Sequence, residues 1–184
     1  KRLGLSTARA WWRSGSTGQH LWCRARLRTW PFVGGVLTVI QVAVLGATGS
    51  IGESTLDVIS RHPDRYRATL LSAHRSVAQM EALCRQYRPL HAVMGDADAA
   101  SELADRLNDV KSVTVSSGPE ALDDLVAEST VDTVVAGIVG FAGLRPTISA
   151  ANAGKTILLA NKEALVSAGA LFMETVRRGD AVLL

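Results

Sequence analysis

Val42-Ala43-Val44-Leu45 is an unbroken apolar run that enters three glycines, Gly46, Gly49 and Gly52, spaced G-x-x-G-x-x-G. A buried strand that passes through such a loop straight into a helix leaves few architectures open. Glycine permits the tight turn and lets the backbone approach a pyrophosphate. The helix that follows offers unpaired N–H groups and the positive end of its dipole. A glycine triplet alone is weak evidence, and the strand before it and helix after it strengthen the dinucleotide reading. A purely structural βα turn is the alternative.

The same alternation continues along the chain. Apolar runs predict strands over 42–45, 68–73, 91–94, 113–115, 131–136, 156–159 and 181–184. Between them, amphipathic spacing predicts helices over 54–61, 77–87, 97–107, 119–128, 146–153 and 165–178. Val77, Met80, Leu83, Cys84 and Tyr87 form one such stripe, stopped by Pro89. Strands alternating with helices imply a parallel sheet covered on both faces. The fold class expected is therefore α/β, doubly wound and mostly parallel, Rossmann-like. With 47% hydrophobic and 20% charged residues the chain is globular rather than disordered. Its two cysteines, Cys23 and Cys84, exclude a disulfide framework and a four-thiolate zinc site.

The net charge of +3 has to be divided before it means anything. Residues 1–40 carry seven basic and no acidic residues, whereas 41–184 carry 13 basic and 17 acidic ones. The basic character thus belongs to the tail, and overall charge is no argument for nucleic-acid binding. All four tryptophans also lie before Pro31, and no apolar period predicts a stable element there. The domain division expected is a basic, Trp-rich tail over 1–38 and a cofactor domain over 39–184. The chain opens at Lys1 with its first methionine at Met80, which reads as an incomplete natural frame. Three origins compete for the tail: vector or mis-started sequence, an organelle transit peptide, and a secretory signal. The signal reading has a defect, since its apolar core over 31–47 would consume the first strand of the domain and contains Gln41.

Two further segments carry candidate chemistry. The second predicted strand ends Ser72-Ala73-His74-Arg75-Ser76, without the acid that an NAD-type site places there for the ribose hydroxyl. Arg75 suits a bidentate grip on a 2′-phosphate, and Ser76 a donated hydrogen bond to it, which favours NADP; a solvated surface arginine is the alternative. After the sixth strand come Asn161, Lys162 and Glu163, at the carboxyl edge where α/β ligands bind. Lys162 suits an anionic substrate, and Asn161 and Glu163 suit the nicotinamide half of the cofactor. Equally, they read as a helix start, with Asn161 as N-cap. The glycine-rich loop over 136–144 fits close backbone approach to a ligand or simple helix packing. Cys84 reads as core, His62 as a helix terminus, and the carboxylates show no metal-ligand spacing.

Gly46-Ala-Thr-Gly-Ser-Ile-Gly52, Ser54-Thr-Leu-Asp-Val58, Ala136-Gly-Ile-Val-Gly-Phe-Ala-Gly-Leu144 and Ala153-Gly-Lys-Thr-Ile-Leu-Leu-Ala-Asn-Lys-Glu163 occur here in one order. Together they resemble the amino-terminal part of the 1-deoxy-D-xylulose 5-phosphate reductoisomerase family, over essentially all of residues 40–184. The resemblance implies an enzyme that rearranges 1-deoxy-D-xylulose 5-phosphate and reduces the aldehyde to 2-C-methyl-D-erythritol 4-phosphate. It implies NADPH and a divalent ion, Mg²⁺ or Mn²⁺, acting in non-mevalonate isoprenoid precursor synthesis. By the same resemblance Thr48, Gly49, Ser50 and Ile51 contact the cofactor at the pyrophosphate turn. Asn161 and Glu163 also contact the cofactor, and Lys162 contacts substrate. Arg75 and Ser76 fall where the family often has a Gly-Lys-Asn type loop, and His74 departs from its usual glycine.

The family's acidic metal ligands, substrate flap and carboxyl-terminal helical domain are expected beyond Leu184. The chain therefore reads as a cofactor domain cut before its catalytic half and inactive alone, with no catalytic or metal-binding residue of its own. Two rivals come from other classes: a semialdehyde dehydrogenase, which needs a nucleophilic cysteine that Cys84 does not match, and a non-enzymatic NADP-sensing domain. The partners expected are the phosphorylated sugar and, for the complete enzyme, a second copy in a homodimer, with neither nucleic acid nor membrane. The location expected is bacterial cytoplasm, or a plastid if the tail is a transit peptide.

Overall fold

The computed structural model describes residues 32–33, 36–160 and 162–184, of which 32–33, 36–37 and 162–168 are described by their backbone. The tail reading over residues 1–31 lies outside the described residues. At its end one expectation fails: β1 (Phe32–Val33) and β2 (Val36–Leu37) form an antiparallel pair. Each strand is two residues long, too short for an apolar period to show in the sequence.

The domain proper is the expected alternation. Its elements run β3 (Ile40–Leu45), α1 (Ser50–Arg61), β4 (Tyr66–Ala73), α2 (Val77–Tyr87), β5 (His91–Met94), α3 (Ala97–Arg106) and β6 (Thr114–Ser117). Then follow α4 (Gly118–Ala127), β7 (Thr133–Ala136), a 3₁₀ turn (Phe141–Gly143), α5 (Leu144–Asn152), β8 (Thr156–Leu159), α6 (Lys162–Arg178) and β9 (Val182–Leu183). The strands lie in the order β6-β5-β4-β3-β7-β8-β9, every neighbouring pair parallel. After β3 the chain winds out to β6 on one side, then returns to place β7 on the other. The carboxyl ends of β3 and β7 therefore flank a topological switch point, where α/β ligand crevices form.

Both faces of the central strands are buried, as a doubly wound domain requires. Val42 and Val44 pack with Leu56 and Ile59 of α1, Met80 and Cys84 of α2, and Leu103 of α3. Ala43 and Leu45 point the other way, into a core with Val126 of α4, Ala150 of α5 and Phe172 of α6. Burying each large apolar side chain of this kind contributes about 1.5–3 kcal/mol. Parity slips once: Val42 pairs with Ala68 but Ala43 with Leu70, so Thr69 is an extra residue. The bulge sends both Ala68 and Leu71 to the α1 face, which strict alternation forbids.

Local chemistry sets the element ends. Arg88 closes α2 in the left-handed region (φ 45°), its N–H bonded to Cys84 O, immediately before Pro89. Asp96 caps α3 through Ala99 N–H at 3.1 Å. Lys155, buried just before β8, donates to the carbonyl oxygens of Glu128 and, at 2.6 Å, Val131. Those bonds tie the end of α4 to the approach of β7 at the amino edge of the sheet. Among the described residues, no helix is long and apolar enough to cross a membrane.

Candidate functional site

The site is built where β3 ends. Gly46 turns the chain with φ +78°, a conformation that a side chain strains. The turn is fastened to β4: Gly46 N–H donates to Ser72 Oγ at 3.2 Å, and Ala47 N–H to Ser72 O at 2.7 Å. Gly49 N–H closes the turn on Gly46 O at 3.1 Å. Gly49 then stands as the extended N-cap of α1, with no side-chain hydrogen bond filling the first helical turn. Gly52 is buried beneath that turn, and a methyl there would lie 2.5 Å from Ala47 O. The third glycine thus lets α1 touch the loop that launches it.

This geometry leaves Gly49, Ser50 and Ile51 exposed and Thr48 half-buried at the open first turn of a twelve-residue helix. The four residues expected at the pyrophosphate turn thus stand at the switch point. The first turn of α1 leaves N–H groups without intrahelical partners beside Gly49, which has no Cβ to block approach, and a helix end of this kind suits an anion. A dinucleotide pyrophosphate fits it on these grounds, whereas a merely structural turn would not require an open helix end.

The loop after β7 forms the opposite wall. Gly137 N–H bonds Leu45 O at 3.0 Å, which clamps the ends of β3 and β7 together. The glycines of this loop differ in their surroundings. A Cβ at Gly143 would lie 2.6 Å from Ile138 O, a packing constraint, whereas one at Gly140 would meet open space. Val139 and Phe141 stand out at 81% and 73% exposure, large apolar groups at the rim of the crevice. A separate, apolar groove of about 480 Å³ lies along the flank of α1, lined by Val42, Ile51, Val135, Leu158 and Leu184 among others. Its lining is unsuited to a charged dinucleotide.

Arg75 and Ser76 follow β4 at the same carboxyl edge. Ser76 is exposed, opens α2 and makes no capping bond with its hydroxyl. Arg75 lies at the surface, as its alternative reading had it, but it is paired rather than solitary. Its Nε and Nη2 donate to Asp96 Oδ2 at 3.0 and 2.8 Å. Asp96 went unnoticed in the sequence; its position just before helix α3 signalled an N-cap, but nothing local signalled Arg75. Ala99 N–H first and Arg75 second hold the Asp96 carboxyl below the usual carboxylate range.

The structure places Lys162 and Glu163 in the first turn of α6, directly after β8 and its neighbour β7, so the segment reaches the same edge. Asn161 lies outside the described residues. Cys84 is fully buried, and burial pushes its thiol up to about 12, the opposite of what a nucleophile needs. That removes the residue a semialdehyde dehydrogenase would have required. Among the described residues no three His, Cys, Asp or Glu gather into a metal site.

Comparison with known proteins supplies the family. A family model described as 1-deoxy-D-xylulose 5-phosphate reductoisomerase matches residues 42–169. The reductoisomerase of that name from Ralstonia nicotianae is 54% identical over 147 residues, 79% of this chain and 37% of the relative. A solved reductoisomerase from Zymomonas mobilis in complex with NADPH superposes with a TM-score of 0.76 at 41% identity, over 80% of this chain and 38% of that one. Another, solved with NADPH, fosmidomycin and magnesium, gives a TM-score of 0.76 at 43% identity, over 79% and 36%. The chain thus spans a little over a third of the length of these relatives. Within that span, the glycine turn, the seven-stranded parallel order and the matched residues agree, and the chain belongs to the 1-deoxy-D-xylulose 5-phosphate reductoisomerase family.

Proposed function

We propose that residues 39–184 are the NADPH-binding part of an enzyme that converts 1-deoxy-D-xylulose 5-phosphate to 2-C-methyl-D-erythritol 4-phosphate. The observation that carries this reading is the open N-terminus of α1 above the buried Gly52, at the switch point between β3 and β7. Relatives of this family solved with NADPH support the choice of cofactor.

In this reading the pyrophosphate lies over Thr48, Gly49, Ser50 and Ile51 and takes the unpaired N–H groups of the first helical turn, with the α1 dipole behind them, while the Gly49 N–H stays on Gly46 O. Arg75 takes the 2′-phosphate with its outward edge, and Ser76 adds a hydroxyl donor. Asn161 and Glu163 orient the nicotinamide half, and Lys162 holds the anionic end of the sugar phosphate. The loop bearing Val139 and Phe141 excludes water from the crevice rim. NADPH, when bound, supplies the hydride that reduces the rearranged aldehyde. A magnesium or manganese ion in the complete enzyme would supply Lewis-acid chemistry at the substrate oxygens. The complete enzyme works as a homodimer.

The test is NADPH oxidation by the complete protein that carries this domain. Metal-dependent turnover with 1-deoxy-D-xylulose 5-phosphate is the expected result, lost in Lys162→Ala. Absence of turnover with that sugar, in protein that binds NADPH, would overturn the substrate while leaving the cofactor reading intact.

A further inference from the structure

We infer that Asp96 is a positioning residue for cofactor choice: it presents Arg75 as a pre-set receptor for the 2′-phosphate that distinguishes NADPH from NADH. The inference rests on the cofactor reading above and adds a residue from a different strand to it. Asp96 follows β5, whereas Arg75 follows β4, so the pair bridges two neighbouring strand ends.

Each oxygen of the Asp96 carboxylate has one task. Oδ1 accepts Ala99 N–H at the start of α3, which fixes the carboxylate plane. Oδ2 accepts Nε and Nη2 of Arg75. A guanidinium carries five N–H donors in a rigid fork. The Nε side of the fork is therefore committed to Asp96, and the end bearing Nη1 points away from it. The Arg75 side chain is 72% exposed and that of Asp96 only 22%, so the pair is anchored on one side and open on the other. That free end has the spacing for a second bidentate contact, which phosphate accepts and a ribose hydroxyl does not need.

The surrounding backbone makes the pair rigid. Gly95 N–H bonds Ala73 O at 2.8 Å and Asp96 N–H bonds His74 O at 3.2 Å, so the two loops are zipped together. His74 packs its Nδ1 edge over Gly95, where a Cβ would lie 2.5 Å away. Three of the roughly four acceptor positions of the carboxylate are taken, which leaves little for the ribose of an NAD-type site. Its negative charge opposes an incoming phosphate, but it sits on the positive end of the α3 dipole, worth roughly half an elementary charge, which offsets part of that repulsion. What remains is the gain from not having to order a long arginine side chain during binding.

The experiment titrates the 184-residue chain with NADPH and with NADH, as wild type, Asp96→Asn, Arg75→Ala and the double variant. Asparagine keeps the N-cap and removes the charge that holds Arg75; Asp96→Ser is the second variant, in case asparagine impairs folding, which a thermal melt reports. The expected result is that Asp96→Asn weakens NADPH by about threefold to tenfold, the cost of ordering one side chain, and leaves NADH unchanged. In the Arg75→Ala background the same change should have no further effect, since Asp96 acts through Arg75. Unchanged or tighter NADPH binding in both Asp96 variants would overturn the inference while leaving the cofactor reading standing. A wild-type chain with no preference for NADPH would overturn both.

Discussion

Gly52 lies directly against Ala47: a methyl on Gly52 would stand 2.5 Å from the Ala47 carbonyl oxygen and 2.6 Å from its carbonyl carbon. The obstacle is backbone, which cannot rotate aside as a side chain can. Gly52→Ala must therefore lift α1 off the glycine turn, at an expected cost of about 1–3 kcal/mol, and should abolish NADPH binding. Gly49→Ala is the contrast, because a Cβ there meets only Gly46 O at 3.5 Å. Paired thermal melts and NADPH titrations check this, and equal melting of the two variants would contradict it.

Lys155 belongs to a string that the family resemblance made conspicuous, but its ammonium is spent on the carbonyls of Glu128 and Val131 at the amino edge, away from the cofactor. Lys155→Met should lower stability by about 2–3 kcal/mol through the orphaned carbonyls. Folded protein should keep its NADPH affinity. Denaturant unfolding and a cofactor titration separate the two effects, and weakened binding at unchanged stability would show that the lysine serves the site.

Cys84 is fully buried, with its thiol pushed up to about 12, so almost no thiolate exists at neutral pH. Iodoacetamide should label it slowly in the native protein and quickly in denaturant, as read by peptide mapping at Cys84. Fast native labelling would show that α2 opens away from the sheet.

Asp96 gives the pH prediction. Its folded carboxyl lies below the ordinary range, held there by Ala99 N–H and then Arg75. A carboxylate depressed in the folded state stabilises above its unfolded value, about 3.9, and loses that contribution as pH falls through the folded value. The stability gap between wild type and Asp96→Asn should be level at neutral pH and shrink in acid below about pH 4. Acid unfolding of both proteins measures it, and a gap that widens with acid would contradict the pairing.

Much of the fold is readable because the central strands β3, β4, β5 and β7 are covered on both faces. That makes strands continuous apolar runs, and residues 91–94 and 156–159 fall where expected. Where side chains do not report the backbone, the reading slipped. Helix α1 starts at Ser50 rather than at residue 54, because Ser50-Ile51-Gly52 looks like loop until its packing against Ala47 is seen. Strand β7 starts at Thr133 rather than at 131, since Val131 spends its N–H on Glu128 O and its carbonyl on Lys155. The strands Phe32–Val33 and Val36–Leu37 are too short for a period to show, and the bulge at Thr69 has no local apolar signature. In the site, the glycine turn is a local motif and could be read directly. The Arg75–Asp96 pair joins residues 21 apart and becomes visible only when β4 and β5 lie side by side.

A domain that holds NADPH at the α1 N-terminus and recognises its 2′-phosphate must prefer NADPH to NADH. Calorimetric titration of the 184-residue chain with NADPH and NADH tests it most directly. Charge-assisted hydrogen bonds to one phosphate should make NADPH tighter by about tenfold to a hundredfold, a preference that Arg75→Ala removes. Equal affinities for the two cofactors, or no binding of either by a folded chain, would contradict the account.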